Sequence, residues 1–166
     1  MGVYLFTYHA YRSWMPDKGR GFVQRGRGIM PADEGMAEGY RRRANYEQIR
    51  FTDEDCRMML AEAQRVCGTP ARKQTGWRLP ICVAVFNHVH LLVSWRGFVS
   101  AKRARALLHR ALTVVLRDAW GEADGRPILA RGGSMKQVRD RPHFDHLLTT
   151  YLPGHRKYGG AILIPE

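Results

Sequence analysis

Apolar positions along the chain recur with two different periods, and the switches between them outline the elements. Val3 to Tyr11 is dense in aromatic and β-forming residues and predicts a first strand. Thr52-Asp53-Glu54-Asp55 sets a capping residue before a run of acids, the signature of a helix start. Met58, Met59, Leu60, Ala63 and Val66 follow at helical spacing, and Gly68 suits the stop. Gly76 to Val85 predicts a second strand and His88 to Trp95 a third, with Phe86-Asn87 left for a tight hairpin turn. Ser100 is placed to cap a long helix reaching Trp120, whose stripe is Leu107, Leu108, Leu112, Val115 and Leu116, with Gly125 closing the region. Pro127-Ile128-Leu129-Ala130 predicts a short fourth strand. Asp140 to Tyr151 predicts a last helix with Phe144, Leu147, Leu148 and Tyr151 on one face.

The order is strand, helix, strand, strand, helix, strand, helix. It predicts an α+β fold, a ferredoxin-like or RRM-like antiparallel sheet with helices packed on one face. His88 and His90 fall on a central strand, and the opposite face of the sheet is expected to be open to ligand. A length of 166 residues suits one domain and needs no disulfide staples. With 45% hydrophobic residues the chain is not of the disordered class.

Charge changes the picture of partners, not of fold. The net charge of +12 favours a polyanion, of which nucleic acid is the commonest. The glycine-rich stretches Lys18-Gly19-Arg20-Gly21-Phe22 and Gln24-Arg25-Gly26-Arg27-Gly28 read as loop, either a flap that contacts phosphates or a solvated linker. A membrane partner is not expected. The start Met1-Gly2-Val3-Tyr4-Leu5-Phe6 lacks the marks of a myristoyl signal or a signal peptide, and no apolar run approaches about 18 residues. Cys56, Cys67 and Cys82 are odd in number and widely spaced, as expected of reduced thiols in a cytoplasmic protein.

The chemistry concentrates in His88-Val89-His90. Successive strand residues alternate faces, so both imidazoles point one way while Val89, Leu91 and Val93 point the other. Two histidines on an otherwise apolar strand are costly to bury without partners. They are useful if both converge on a metal, and bland if they are solvated on a half-exposed strand. A metal needs a further ligand, and Tyr151-Leu152-Pro153-Gly154-His155 offers one. Residues four apart share a helix face, so Tyr151 and His155 can both face a cation held by His88 and His90. A phenol is a poor nucleophile at its free pKa of about 10, and a neighbouring cation lowers it. Pro153 works against this geometry, because its ring clashes with the Thr149 carbonyl and removes a hydrogen bond. Tyr158 is the second candidate nucleophile, in a glycine-rich stretch where no helix is expected. The bland reading of Tyr151 is a core tyrosine.

His88-Val89-His90, within Asn87-His88-Val89-His90-Leu91-Leu92-Val93, resembles the histidine-hydrophobic-histidine motif of the HUH single-strand tyrosine transposases. The branch it resembles is the REP-associated tyrosine transposases. Three further parts agree: Tyr4 to Val23, with Thr7-Tyr8, Ser13-Trp14-Met15-Pro16 and Arg20-Gly21-Phe22-Val23; Arg131-Gly132-Gly133-Ser134 after the long helix; and Tyr151 with a polar ligand four residues on. The resemblance covers nearly the whole chain in the right order and implies one catalytic domain over residues 1–166. It implies His88 and His90 as metal ligands, Tyr151 as nucleophile, and Mg²⁺ or Mn²⁺ as the cation. The family often has Gln or Asn where this chain has His155, and three imidazoles suit Zn²⁺, Ni²⁺ or Co²⁺ better on ligand softness. The implied partner is single-stranded or hairpin DNA in a cytoplasmic, nucleoid-associated protein, monomeric or homodimeric. Lys102, Arg103, Arg105, Arg131, Lys136 and Arg139 are candidates for backbone contacts, and Trp14 and Trp95 for base stacking or packing.

Three functions remain open at this point. The first is a metal-dependent nuclease and transposase that nicks and rejoins DNA through a 5′-phosphotyrosine. A hairpin DNA or RNA binder that does not cut is the second. Third is a zinc hydrolase with water as nucleophile.

Overall fold

The structure is a computed structural model that describes residues 2–19, 21–24, 27–121, 125–131 and 133–165, with Val23 and Gln24 by backbone alone. The elements in chain order are β1 (Gly2–His9), β2 (Phe22–Gln24), β3 (Gly28–Met30), α1 (Glu34–Arg42), α2 (Asp53–Cys67), α3 (Pro70–Gln74), β4 (Arg78–Val85) and β5 (His88–Trp95). After them come α4 (Ala101–Trp120), β6 (Ser134–Gln137), α5 (Arg141–His146), a π-helical turn (Leu147–Tyr151), a 3-10 turn (Pro153–Tyr158) and β7 (Ala161–Leu163).

Five strands form one antiparallel sheet in the order β6-β1-β5-β4-β7. The strand with the paired histidines is therefore the middle one. It joins β4 through the two-residue turn Phe86-Asn87 and pairs with β1 along its length. The α+β class, the antiparallel sheet and the central position of β5 are as the sequence predicts.

Local signals account for the two main helices. Thr52 and Asp55 cap each other's backbone N–H at the start of α2, and Gly68 ends it. Ser100 caps α4, and Gly121 closes it in the left-handed conformation at φ 64°. The expected stop at Gly125 lies four residues too late, because Gly121 supplies the positive φ first. Met59, Leu60, Ala63 and Val66 of α2 and Leu108, Leu112 and Leu116 of α4 pack with Phe6, Tyr8, Val89, Leu91, Val93 and Trp95 of the sheet. This is the main core.

The other face differs from expectation in one respect. It is not fully open: Leu147 and Leu152 of the C-terminal segment pack on Leu5, Ile81, Val83, Val85 and Leu92. Helices therefore lie on both faces, α2 and α4 on one and the C-terminal segment across the middle of the other. The fourth strand also departs from prediction. Around Pro127–Ala130 the chain makes only a single bridge, Ala10 to Leu129, and the strand beside β1 is β6. The arginine-glycine segment contains the small hairpin β2–β3, whereas Arg20, Arg25 and Gly26 of the expected flap lie outside the described residues.

Candidate metal and nucleophile site

Strand alternation sets out the site. His88 and His90 of β5 point away from the main core, and β1 places His9 opposite His88 and Thr7 opposite His90 on the same face. Facing residues in antiparallel strands project to one side, so four polar side chains stand together above the sheet.

The third histidine arrives through a break in the last helix. Proline has no N–H, and its ring collides with the carbonyl four residues back. The helix relieves this one residue earlier by widening: the Leu152 N–H donates to the Leu147 carbonyl at 3.1 Å, a five-residue step. The chain then tightens, with the His155 N–H donating to the Leu152 carbonyl at 3.1 Å. The Tyr151 carbonyl is thereby left free of a backbone partner and accepts instead from His155 Nδ1–H at 2.9 Å. Pro153 thus does not spoil the pairing of Tyr151 with His155; the tightening that follows it leaves the Tyr151 carbonyl to orient the imidazole.

One ring nitrogen from each of His88, His90 and His155 lies within 4.8 Å of the others. The ring centroids are 4.6 Å apart for His88 and His90, 4.8 Å for His90 and His155, and 5.4 Å for His88 and His155. Every Nδ1 has a partner. His88 Nδ1–H donates to Asn87 Oδ1 at 2.6 Å, and His90 Nδ1 is bonded to Thr7 Oγ1 at 2.8 Å. Where Nδ1–H donates, as in His88 and His155, Nε2 is the nitrogen with a lone pair to give, and His90 matches them when its Nδ1–H donates to Thr7; an outer partner of this kind fixes a ligand's tautomer and direction. Burial pushes His88 down to about 4 and His90 down to about 2, with the neighbouring histidines as further causes. Both are therefore neutral ligands near pH 7. The residues fit a divalent cation, and they offer it three imidazoles and no carboxylate.

Tyr151 stands beside this cluster. Its ring centroid lies 5.0 Å from His155 and 5.7 Å from His90, and the side chain is 41% exposed. Burial raises its phenol above the ordinary value. Tyr158 is near as well, its ring 6.1 Å from His155, and it ends the 3-10 turn where no helix was expected. Both tyrosines line a cleft of about 770 Å³ with the three histidines, His9, His146, Ser134 and Lys157. None of the described residues lining it is acidic, which suits an anionic ligand.

Sequence reasoning missed His9, Thr7 and His146. The first two had a signal in the alternation Leu5, Thr7, His9, but its meaning depends on β1 lying next to β5. Gly133 has a structural role: its φ is +94°, and a Cβ there would run into the Thr7 carbonyl. Gly132 lies outside the described residues.

The six candidate DNA contacts do not gather in one place. Lys136 lies opposite Leu5 on the exposed edge strand, and so faces the histidine side. Arg105 reaches from α4 to donate to the Gly133 carbonyl at 3.0 Å, a tie that holds the turn next to Thr7. Lys102 and Arg103 are exposed on α4, which packs on the far face, and Arg131 is exposed after the bridge at Leu129. Arg139 lies at the other end of the histidine face. Trp95 is a core residue, stacked on Tyr4 and Trp77, whereas Trp14 is 40% exposed against Phe22. Cys56, Cys67 and Cys82 are buried and free.

No protein-family model matches the chain, and no curated protein matches it. Its fold is similar to that in the structure of a REP-associated tyrosine transposase bound to a REP hairpin. The TM-score is 0.50 at 11% sequence identity, over 96% of this chain and 70% of that one. At this identity the likeness shows a shared fold.

Proposed function

We propose that the chain is a divalent-metal-dependent single-strand DNA endonuclease and transposase that nicks and rejoins hairpin-associated DNA through Tyr151. The observation that carries this reading is the convergence of Tyr151 with three Nδ1-anchored histidines in one cleft whose described lining residues include no acid. The shared fold with a hairpin-bound tyrosine transposase supports it, and so does the net charge of +12.

In this reading His88, His90 and His155 hold the cation. When bound, it draws charge from the attacked phosphate and favours the phenolate that burial alone disfavours. Tyr151 Oη forms a bond to phosphorus, and the bond from phosphorus to the 3′ oxygen breaks. The phenol proton is lost to solvent, and the 3′ oxygen leaves as a hydroxyl after taking up a proton. The product is a 5′-phosphotyrosine, which keeps a phosphodiester and so can be reversed onto a new 3′ hydroxyl. The π turn and the His155 bond to its carbonyl hold the Tyr151 backbone in place for this attack. Mg²⁺ or Mn²⁺ is the working cation. The all-imidazole set favours Mn²⁺ over Mg²⁺ and binds Zn²⁺, Co²⁺ or Ni²⁺ more tightly still.

That same donor set supports a second reading, a zinc hydrolase with water as nucleophile. No helix among the described residues is long and apolar enough to cross a membrane, and the DNA reading places the protein in the cytoplasm with the nucleoid.

Labelled single-stranded hairpin DNA incubated with Mn²⁺ separates these readings. Transesterification gives a covalent protein–DNA band with wild type and none with Tyr151→Phe or His88→Ala. Cleavage without a band, retained in Tyr151→Phe, means hydrolysis. Tight binding without cleavage means a hairpin DNA or RNA binder on the same fold.

A further inference from the structure

The histidine face of the sheet has a second depression, at the opposite end of β5. Its floor is a row running straight across the sheet. The Val138 N–H donates to the Val3 carbonyl, Val3 lies opposite Ser94, and Ser94 lies opposite Arg78. Ser94 projects to the same side as His88 and His90, about 13 to 20 Å further along the strand. The cavity measures about 820 Å³ and is lined by five cations, Lys73, Arg78, Arg96, Arg139 and Arg141.

The charges there are poorly compensated. Asp140, the one acid among the described lining residues, is engaged in capping the His143 N–H. Arg141 pairs with Asp145. Lys73, Arg78, Arg96 and Arg139 have no ion-pair partner among the described residues. Like charges converging on a concavity raise the local potential, and a polyanion is the ligand that relieves it. Phe144 and Pro80 add an apolar wall against which a sugar or base can lie.

The C-terminal segment joins the two depressions. Arg141 and Phe144 line the basic one, Tyr151 and His155 line the other, and Leu147 and Leu152 between them are fixed to the sheet. We infer that the basic cleft is a second nucleic-acid site. It grips the phosphate backbone of the substrate strand and sets it in register with the site of Tyr151, His88 and His90 lying about four to six duplex steps from Ser94 along the strand. The inference rests on the DNA reading of the histidine site.

Binding of a labelled DNA hairpin with single-stranded flanks, measured by fluorescence anisotropy over a salt series, tests it. Each phosphate contact contributes roughly 0.7 to 0.9 to the slope of log K against log salt. The triple variant Arg78→Ala, Arg96→Ala, Arg139→Ala should bind about tenfold or more weakly, with a slope shallower by about 2. A charge-matched control on other surfaces, Arg42→Ala, Arg57→Ala, Arg110→Ala, should stay near wild type. Equal losses in both triples, an unchanged slope in the first, or no DNA binding by wild type would overturn the proposal. Covalent adduct formation with Mn²⁺, read on the same samples, reports on Tyr151 separately: binding lost in the first triple supports the cleft whether or not wild type cuts.

Discussion

The two faces of the sheet use the same strands for different ends. On β5, Val89, Leu91, Val93 and Trp95 enter the core under α2 and α4, while His88, His90, Leu92 and Ser94 face the C-terminal segment. The first face is apolar from end to end. The second is apolar only in its middle, with histidines at one end of β5 and uncompensated arginines at the other. Because side chains alternate with period two, a register slip of one residue would send the histidines into the core and the valines into the cleft. Stability and chemistry are thus carried by alternate positions, and they should be separable by mutation.

The largest separation is expected on the helical face. Leu112 is fully buried, and Leu112→Ala should cost about 2 to 5 kcal/mol in urea unfolding, through lost burial and a cavity. Metal affinity of the fraction still folded should not change. An equal loss of metal affinity in that fraction would mean that the two faces are not independent.

Thr7→Val is the reverse experiment. It keeps the shape of a side chain that is 7% exposed and removes the partner of His90 Nδ1. Loss of such an outer partner typically lowers metal affinity about 10- to 100-fold, while the stability of the metal-free protein should change by only about 1 kcal/mol. Calorimetric titration with Mn²⁺ and with Zn²⁺ measures the first, and urea unfolding the second.

A graded effect, read without any mutation, should appear in acid. Burial holds His88 at about 4 and His90 at about 2 in the folded protein, below the ordinary value of 6.5. Below pH 6.5 the unfolded chain takes up protons that the folded chain refuses. Their contribution to stability is therefore complete above pH 6.5 and falls as the pH drops toward 4. Denaturation of the metal-free protein between pH 7 and pH 4 should show this decline, and His88→Asn should flatten part of it.

What was legible in the sequence was what local chemistry decides. The capping box at Thr52 and Asp55, the serine at Ser100 and the two-residue turn Phe86-Asn87 each act within a few residues, and the elements they bound lie where they predict. The juxtaposition of His88 with His90 follows from the strand period alone. Distant partners decided the rest. All four residues of β6 are exposed and carry no alternation, and the strand forms because β1 offers a free edge. In α1 only Ala37 is buried, so there is no apolar stripe to read. His9 and Thr7 join the site through the pairing of β1 with β5, a contact between residues some eighty positions apart. Pro153 reads in the sequence as a threat to the geometry, whereas the π turn before it and the tightening after it bring His155 beside Tyr151.

Tandem mass spectrometry of the protein after reaction with Mn²⁺ and a hairpin oligonucleotide identifies the residue that carries the nucleotide. A nucleotide 5′-phosphate should be attached to the peptide that carries Tyr151 and to no other tyrosine. Cleaved DNA with no modified peptide, or a nucleotide on Tyr158 with Tyr151 unmodified, would contradict it.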